Sequence, residues 1–307
     1  MATVLITGGT GMIGRALTKA LLGKGYEVII LTRSPSGKSN EHPRLSYAGW
    51  DISRQEIDKT AIAKSDFIIH LAGAAVAEKR WTEKRKKEIV ESRIAGSELL
   101  VKALKENQNK VKAIVSASAI GWYGEDPQLP NPKPFSETDP PSEDFLGTTC
   151  RQWEEAIGQA NALEKRLVIL RTGIVFSPEG GALDEFRKPL RFGIAPILSN
   201  GRQFMSWIQI EDLVRMYIYA MENEDLSGIY NAVAPFPVSN KTLVMQFAKM
   251  VRGKFFIPVY VPSFFLEMIL GEMSIEVLKS ATVSCEKIKK KGFVFQYPSL
   301  TAALQSF

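Results

Sequence analysis

The chain has 307 residues, 45% of them hydrophobic and 23% charged, with 23 glycines and 16 prolines, a globular composition that excludes the collagenous, coiled-coil and disordered classes. Two cysteines and two histidines are too few for a disulfide framework or a Cys/His zinc site, so no metal is expected and a reducing, cytoplasmic setting is. The net charge of +6 suits a phosphorylated small ligand as well as nucleic acid and decides nothing alone.

The opening MATVLITGG has no basic leader region and breaks into glycines, so no secretory signal is expected. TVLIT at 3–7 reads as a strand, and TGGTGMIGRALTKALL follows from Thr7. This segment satisfies two patterns together, glycines at 9, 11 and 14 and Thr7-Gly8 followed by Gly11 and Gly14. It follows a strand, opens an amphipathic helix and precedes a second strand, EVIILT at 27–32, which is the βαβ context that a dinucleotide fingerprint requires. Gly8, Gly9, Thr10, Gly11, Met12, Ile13 and Gly14 are therefore the expected pyrophosphate cradle, because glycines permit close backbone approach and a helix N-terminus favours negative charge. The end of the second strand selects the nucleotide. An NAD site wants a carboxylate there for the ribose hydroxyl, whereas this chain offers Thr32, Arg33 and Ser34. A guanidinium pairs with a 2′-phosphate, so NADP(H) is the expected coenzyme, with a solvated loop arginine as the plainer reading of Arg33.

Further strands are expected from DFIIHLA at 66–72, VKAIVSAS at 111–118 and RLVILRT at 166–172, near-continuous apolar runs of the kind buried on both faces of a parallel sheet. His70 closes the first of these and reads as a satisfied core or coenzyme-lining histidine rather than a catalytic one. A long helix is expected between Trp81 and Asn107, and a second through Ala160, capped by Ser142 after a Pro-rich surface loop at 125–141. Beyond Thr172 the alternation stops, and the glycine-rich stretch 177–202 reads as irregular binding loops. A helix at 210–223, a strand at 229–233 and three or four short helices after Val238 complete the pattern. FFIPVYVPSFFLEMILG at 255–271, interrupted by Pro258, Pro262 and Glu267, reads as a buried strand, a turn and a short helix rather than a membrane span. Lys289 to Lys291 end a helix that Gly292 caps, which accounts for them without nucleic acid.

The fold class expected is α/β, a Rossmann-type doubly wound parallel sheet with a smaller interleaved C-terminal α+β lobe. The coenzyme domain is assigned to 1–175 with 203–234 contributing, and the second lobe to 176–202 and 235–307. With TGGTGMIG, LAG at 71–73, RWTEKRKKEIVESRI at 80–94, SASAIGWYG at 116–124, FLGTTCRQWE at 145–154 and SWIQIEDL at 206–213 in order, the chain resembles the extended short-chain dehydrogenase/reductase superfamily of nucleotide-sugar epimerases and dehydratases. More narrowly it is similar to an atypical epimerase family with a C-terminal domain of unknown function. The resemblance implies that Thr32 and Arg33 hold the adenosine phosphate end, that Leu71, Ala72 and Gly73 line the coenzyme, and that Glu88 and Arg93 reach it from the long helix. It also places Ser116 beside the coenzyme and Val175 at the nicotinamide side through its backbone. Asp51 stands where an acid in the superfamily contacts adenine, and reads equally as a turn residue. Asp212 reads as a helix-start residue satisfying backbone amides.

The resemblance breaks at the chemistry. The superfamily ordinarily pairs a serine or threonine with Tyr-x-x-x-Lys, where the lysine cation favours the phenolate of a tyrosine whose ordinary pKa is about 10. No tyrosine in this chain has lysine four residues later. Ser118 fits the serine position as a hydrogen-bond donor to substrate. Tyr123 is the candidate general acid, against a plain packing aromatic, and Cys150 a weaker substitute against an inert core thiol. Arg202 and Gln203 are the expected substrate contacts, with apolar walls from Phe186, Phe192, Phe204 and Trp207 where these do not simply fill the core. Two functions follow. One is an NADP(H)-dependent oxidoreductase or epimerase acting on a small, nucleotide-linked substrate, with no nucleic-acid or membrane partner; the other is a coenzyme-binding regulatory protein that has lost catalysis.

Overall fold

The computed structural model describes residues 1–36, 38 and 42–307. The buried apolar runs become strands β1 (Thr3–Thr7), β2 (Glu27–Thr32), β3 (Leu45–Asp51), β4 (Glu56–Ile57), β5 (Phe67–His70), β6 (Ala113–Ala119) and β7 (Arg166–Thr172). Short strands β8 (Ile174–Ser177), β9 (Gly180–Gly181), β10 (Ile194–Leu198), β11 (Phe204–Met205) and β12 (Trp207–Gln209) follow, then β13 (Gly228–Ala232), β14 (Val238–Ser239) and β15 (Ile257–Val261). Eight strands form one sheet in the order β13-β7-β6-β5-β1-β2-β3-β4, parallel throughout except for β4. β2 and β5 both flank β1, so the winding reverses there and opens a crevice at the carboxyl ends of β1 and β5, where ligands bind in such sheets.

Helices cover both faces: α1 (Met12–Gly23), α2 (Lys59–Lys64), α3 (Glu83–Glu106), α4 (Phe145–Gly158), α5 (Ala182–Leu190) and α6 (Ile210–Glu222). Then come α7 (Asn240–Arg252), α8 (Ser263–Leu270), α9 (Ser274–Leu278), α10 (Glu286–Lys290) and α11 (Leu300–Gln305). One apolar cluster joins α1 and α6 to the sheet through Leu17, Leu21, Leu213 and Tyr217, and a second joins α3 and α4 to the other face through Leu99, Leu100, Leu104 and Ile157. A third, built on Phe176, Leu183, Phe186, Trp207, Phe247 and Leu300, forms the core of the second lobe.

Several expectations change. The strand β3 was not expected: its run LSYAGWD is diluted by Ser46 and Gly49, and it is buried at Leu45, Ala48 and Trp50 only. The stretch 177–202 is not irregular, since it holds α5 and β10, whose Leu183, Leu190, Ala195 and Ile197 are buried. The cap of α4 is Asp144, which accepts the Gly147 N–H at 2.7 Å, while Ser142 donates to that aspartate. Five helices rather than three or four follow Val238. The segment 255–271 does form strand, turn and helix, yet Phe255, Ile257, Phe264 and Met268 are exposed, not buried.

A hydroxyl joins the two strands that border the crevice. Thr7 Oγ1 accepts the Leu71 and Ala72 N–H groups, each at 3.1 Å, and lies 2.8 Å from His70 Nδ1. With both lone pairs engaged, its proton must point at Nδ1. His70 therefore carries its proton on Nε2 and donates it to Ser97 Oγ at 3.2 Å, and Ser97 donates onward to the Arg93 carbonyl at 2.8 Å. Burial holds the imidazole neutral, pushing its pKa down to about 4. The unfolded chain takes up this proton from about pH 6.5 downward while the folded chain refuses it until about pH 4, so full stability above that window is lost within it, by about 3 kcal/mol. Chemical denaturation of wild type and His70→Asn between these pH values is expected to show the slope largely removed in the variant, and an identical slope in both would exclude His70 as its source.

Candidate coenzyme site

The crevice is floored by the turn after β1 and the loop after β5, and the glycines of the turn divide by what they face. Gly8 has φ +69°, and a Cβ there would lie 2.9 Å from the Leu71 carbonyl carbon. One on Gly14 would lie 2.4 Å from the Gly8 carbonyl oxygen. These are packing requirements of the protein itself, and Gly9 against Ile30 is a third. Gly11 is different: its φ is −76°, which any residue adopts, and a Cβ would meet nothing closer than the Gly8 oxygen at 3.4 Å. What its missing side chain preserves is the space over the start of α1.

That start is bare. α1 has no side-chain cap and no acid in its first turn, whereas α3, α4 and α7 are capped by Thr82, Asp144 and Ser239. The first helical bond of α1 runs from Arg15 N–H to the Gly11 carbonyl, so the amides of Met12, Ile13 and Gly14 are left for an external acceptor. Arg15, which the sequence reading passed over, is exposed and donates Nη1 to the Thr10 carbonyl at 2.8 Å, placing a cation on the same turn. Helix-terminal amides plus a guanidinium suit a phosphate. Thr32 ends the neighbouring β2, and Arg33, the next residue, is exposed.

On the other wall, Leu71 and Ala72 are fixed by Thr7, and Gly73 lies against the Arg93 guanidinium, whose Cζ would be 3.1 Å from a Cβ there. Arg93 Nη1 donates to the Ala74 and Ile89 carbonyls, and its Cζ stacks 5.0 Å from the Trp153 ring. Glu88 is exposed and accepts from Arg85 Nη1 at 2.7 Å, which draws its carboxyl below the usual range. Ser116 is buried on β6, opposite His70 in register. Val175 lies on β8 opposite Ile208 of β12, and a Cβ on Gly181 of the neighbouring β9 turn would lie 3.5 Å from the Met12 methyl.

The expected acid–base groups are buried and hydrogen-bonded within the protein. Ser118 is 3% exposed and donates Oγ to Glu154 Oε1 at 2.6 Å. Glu154 is held in turn by both arms of Arg171, at 2.8 and 2.9 Å, in a buried pair. Tyr123 is not a pocket-mouth residue: it is fully buried, stacked on Phe135, donates its hydroxyl to Asn231 at 2.8 Å and receives Arg171 Nη1 at 3.1 Å. Burial pushes its pKa up to about 12. Cys150 is buried with its thiol 3.7 Å from the Ala119 carbonyl, and burial, reinforced by Glu154, raises it to about 12. The signal for this network was available in the sequence, since Arg171 on an apolar strand and Glu154 on an apolar helix face each demand a buried partner.

Other assignments shift as well. Asp51 is the turn residue, its Oδ1 accepting the Ser53 hydroxyl and the Ser53 and Arg54 amides. Gln203 is buried and donates to the Leu198 carbonyl, so it buttresses the loop before β11, while Arg202 beside it is exposed. Asp212 accepts the Gln296 and Tyr297 amides rather than those of its own helix, which Gln209 caps. Phe186 and Trp207 are core; Phe192 is 84% exposed.

Among the described residues no group of three His, Cys, Asp or Glu side chains could hold a metal ion. Residues 4–232 match the NAD dependent epimerase/dehydratase family, and residues 261–307 match a domain of unknown function. The chain is 35% identical to an epimerase family protein of Staphylococcus saprophyticus, over 99% of each. It is also 35% identical to the epimerase family protein YfhF of Bacillus subtilis, over 98% of this chain and 96% of that one. Among solved structures, the human epimerase family protein SDR39U1, crystallised with NADPH, superposes with a TM-score of 0.84 at 28% identity, over 99% of this chain and 98% of the human one. The chain belongs to the NAD dependent epimerase/dehydratase family.

Proposed function

We propose that this protein binds NADP(H) across the β1–β5 crevice and exchanges hydride with a small polar substrate without a side-chain proton relay from Ser118, Tyr123 or Cys150. The observation that carries the binding half is the bare start of α1 beneath Gly11, a cradle that a Cβ would enter and that the protein's own packing does not require to be empty. The human relative crystallised with NADPH supports the same reading. The amides of Met12, Ile13 and Gly14 with Arg15 would hold the pyrophosphate, Arg33 the 2′-phosphate, and the backbone of Leu71 to Gly73 the wall opposite. When bound, the coenzyme supplies or accepts a hydride at its nicotinamide ring. The chain's part is then to position and to exclude water.

The engaged state of Ser118, Tyr123, Cys150 and His70 favours a second reading, in which coenzyme occupancy is sensed rather than turned over. The two differ in one observable: on incubation with candidate carbonyl compounds, the near-ultraviolet absorbance of bound NADPH decays in the first and persists in the second.

Gly11→Ala is expected to weaken NADPH binding by about tenfold or more, by placing a methyl over the helix amides, while thermal stability stays level. A loss of stability with unchanged affinity would assign Gly11 to packing. Arg33→Ala is expected to weaken NADPH about 10- to 100-fold, the range of one to two charge-assisted hydrogen bonds, and to leave NADH nearly unchanged. Equal losses in a fluorescence titration would remove Arg33 from the 2′-phosphate. Ser118→Ala, which strips a donor from buried Glu154, is expected to cost about 1–2 kcal/mol of stability and leave any turnover near wild type. Abolished turnover in a fully folded variant would restore the catalytic role.

A further inference from the structure

The second lobe carries an apolar face that nothing else in the described chain covers. β10 and β15 pair in parallel, with Ile194 opposite Ile257 and Pro196 opposite Val259. Strand alternation puts these four on the side away from the core that takes Ala195 and Ile197. At the tip, Phe192 is 84% exposed, Phe255 82% and Ile257 69%, and the Ile257 N–H donates to the Gly193 carbonyl at 2.8 Å, holding both ends of the tip together. With aromatic side chains of roughly 200 Å² each, Phe192 and Phe255 alone present about 330 Å² of apolar surface, within the range of the largest patch on a soluble monomer.

Its rim is basic. Arg191, Arg252 and Lys254 are exposed. Arg252 Nη2 would lie 3.9 Å from a Cβ on Gly193. None of the three is in an ion pair among the described residues, whereas Arg187 and Lys188, one turn earlier, are matched by Asp184 and Glu185. This charge selects the occupant. A second copy related by a two-fold axis would set the cations against their own equivalents, while a layer of phosphate headgroups complements them.

We propose that this face is a peripheral membrane-binding surface, with Phe192, Phe255 and Ile257 entering the interfacial layer of an anionic bilayer and Arg191, Arg252 and Lys254 meeting its phosphates. No helix among the described residues is long and apolar enough to cross a membrane, so the contact is lateral. The expectation of no membrane partner rested on the absence of a span and on burial of 255–271; the exposure of Phe255 and Ile257 removes the second ground.

Co-sedimentation with phosphatidylcholine vesicles, with and without phosphatidylglycerol, tests this. The full chain is expected to bind only the anionic vesicles and to be released by salt. Arg252→Ala with Lys254→Ala is expected to weaken binding about 25-fold, at about fivefold per cation. Phe255→Asp, and separately Phe192→Ser, is expected to abolish it while leaving near-ultraviolet circular dichroism and NADPH affinity unchanged. Absence of binding, equal binding to neutral vesicles, or wild-type binding by folded Phe255→Asp would each overturn the proposal. A dimer in sedimentation equilibrium that Phe255→Asp dissociates, with no vesicle binding, would assign the face to a second copy instead.

Discussion

The hydroxyl of Thr7 accepts two amides from the loop after β5 and donates to His70, and the geometry of the crevice depends on it. Parallel strands diverge at their carboxyl ends, where the ladder bonds stop and two loops leave in opposite directions. Something must hold those loops close, and the space between Gly8 and Leu71 is too narrow for a Cβ to do it. A single oxygen at the end of β1 supplies the tie. Its direction is then passed through a neutral imidazole and Ser97 to the backbone of α3, so one chain of hydrogen bonds joins the turn, the loop and the helix that bears Arg93. The cost is a histidine that must remain uncharged, which makes the frame of the site sensitive to acid.

On that frame, polar groups are divided sharply between those that hold the structure and those that await a ligand. Ser118, Glu154, Arg171, Tyr123 and Asn231 form a closed buried set in which each donor has an acceptor, and buried sets of this kind rigidify the region they occupy. The amides that begin α1 are the opposite case: a helix end with neither cap nor acid, beneath a glycine that packing does not demand. Anion binding explains both features together. Under the proposed function, chemistry beyond binding comes from the nicotinamide, the substrate and water.

The fold was legible where physics is local. β1, β2 and β7 have the bounds expected from their apolar runs, and the fingerprint turn falls where a strand passes into a helix. β3 was missed because an outer strand with Ser46 and Gly49 carries half the apolar signal of an inner one. The tight turn into α1 was also legible, because glycine spacing records backbone approach directly. The surroundings of the expected acid–base groups were not. Ser118 and Tyr123 have the right chemistry at the right places in the chain, but which face of β6 a serine uses, and whether a loop tyrosine turns inward, depend on Glu154 and Arg171, residues 36 positions from Ser118 and 48 from Tyr123 respectively. The exposed segment around Phe255 failed for the converse reason: apolar composition predicts burial unless an outside surface is available to take it.

In the proposed function, the crossover from β1 to α1 holds a phosphorylated dinucleotide and the guanidinium just after β2 favours the additional phosphate. Isothermal titration of ligand-stripped protein with NADPH and with NADH measures this directly. Binding heat is expected from NADPH, with an affinity at least about tenfold above that for NADH, the ratio expected from one charge-assisted contact. The absence of heat from either nucleotide would contradict it.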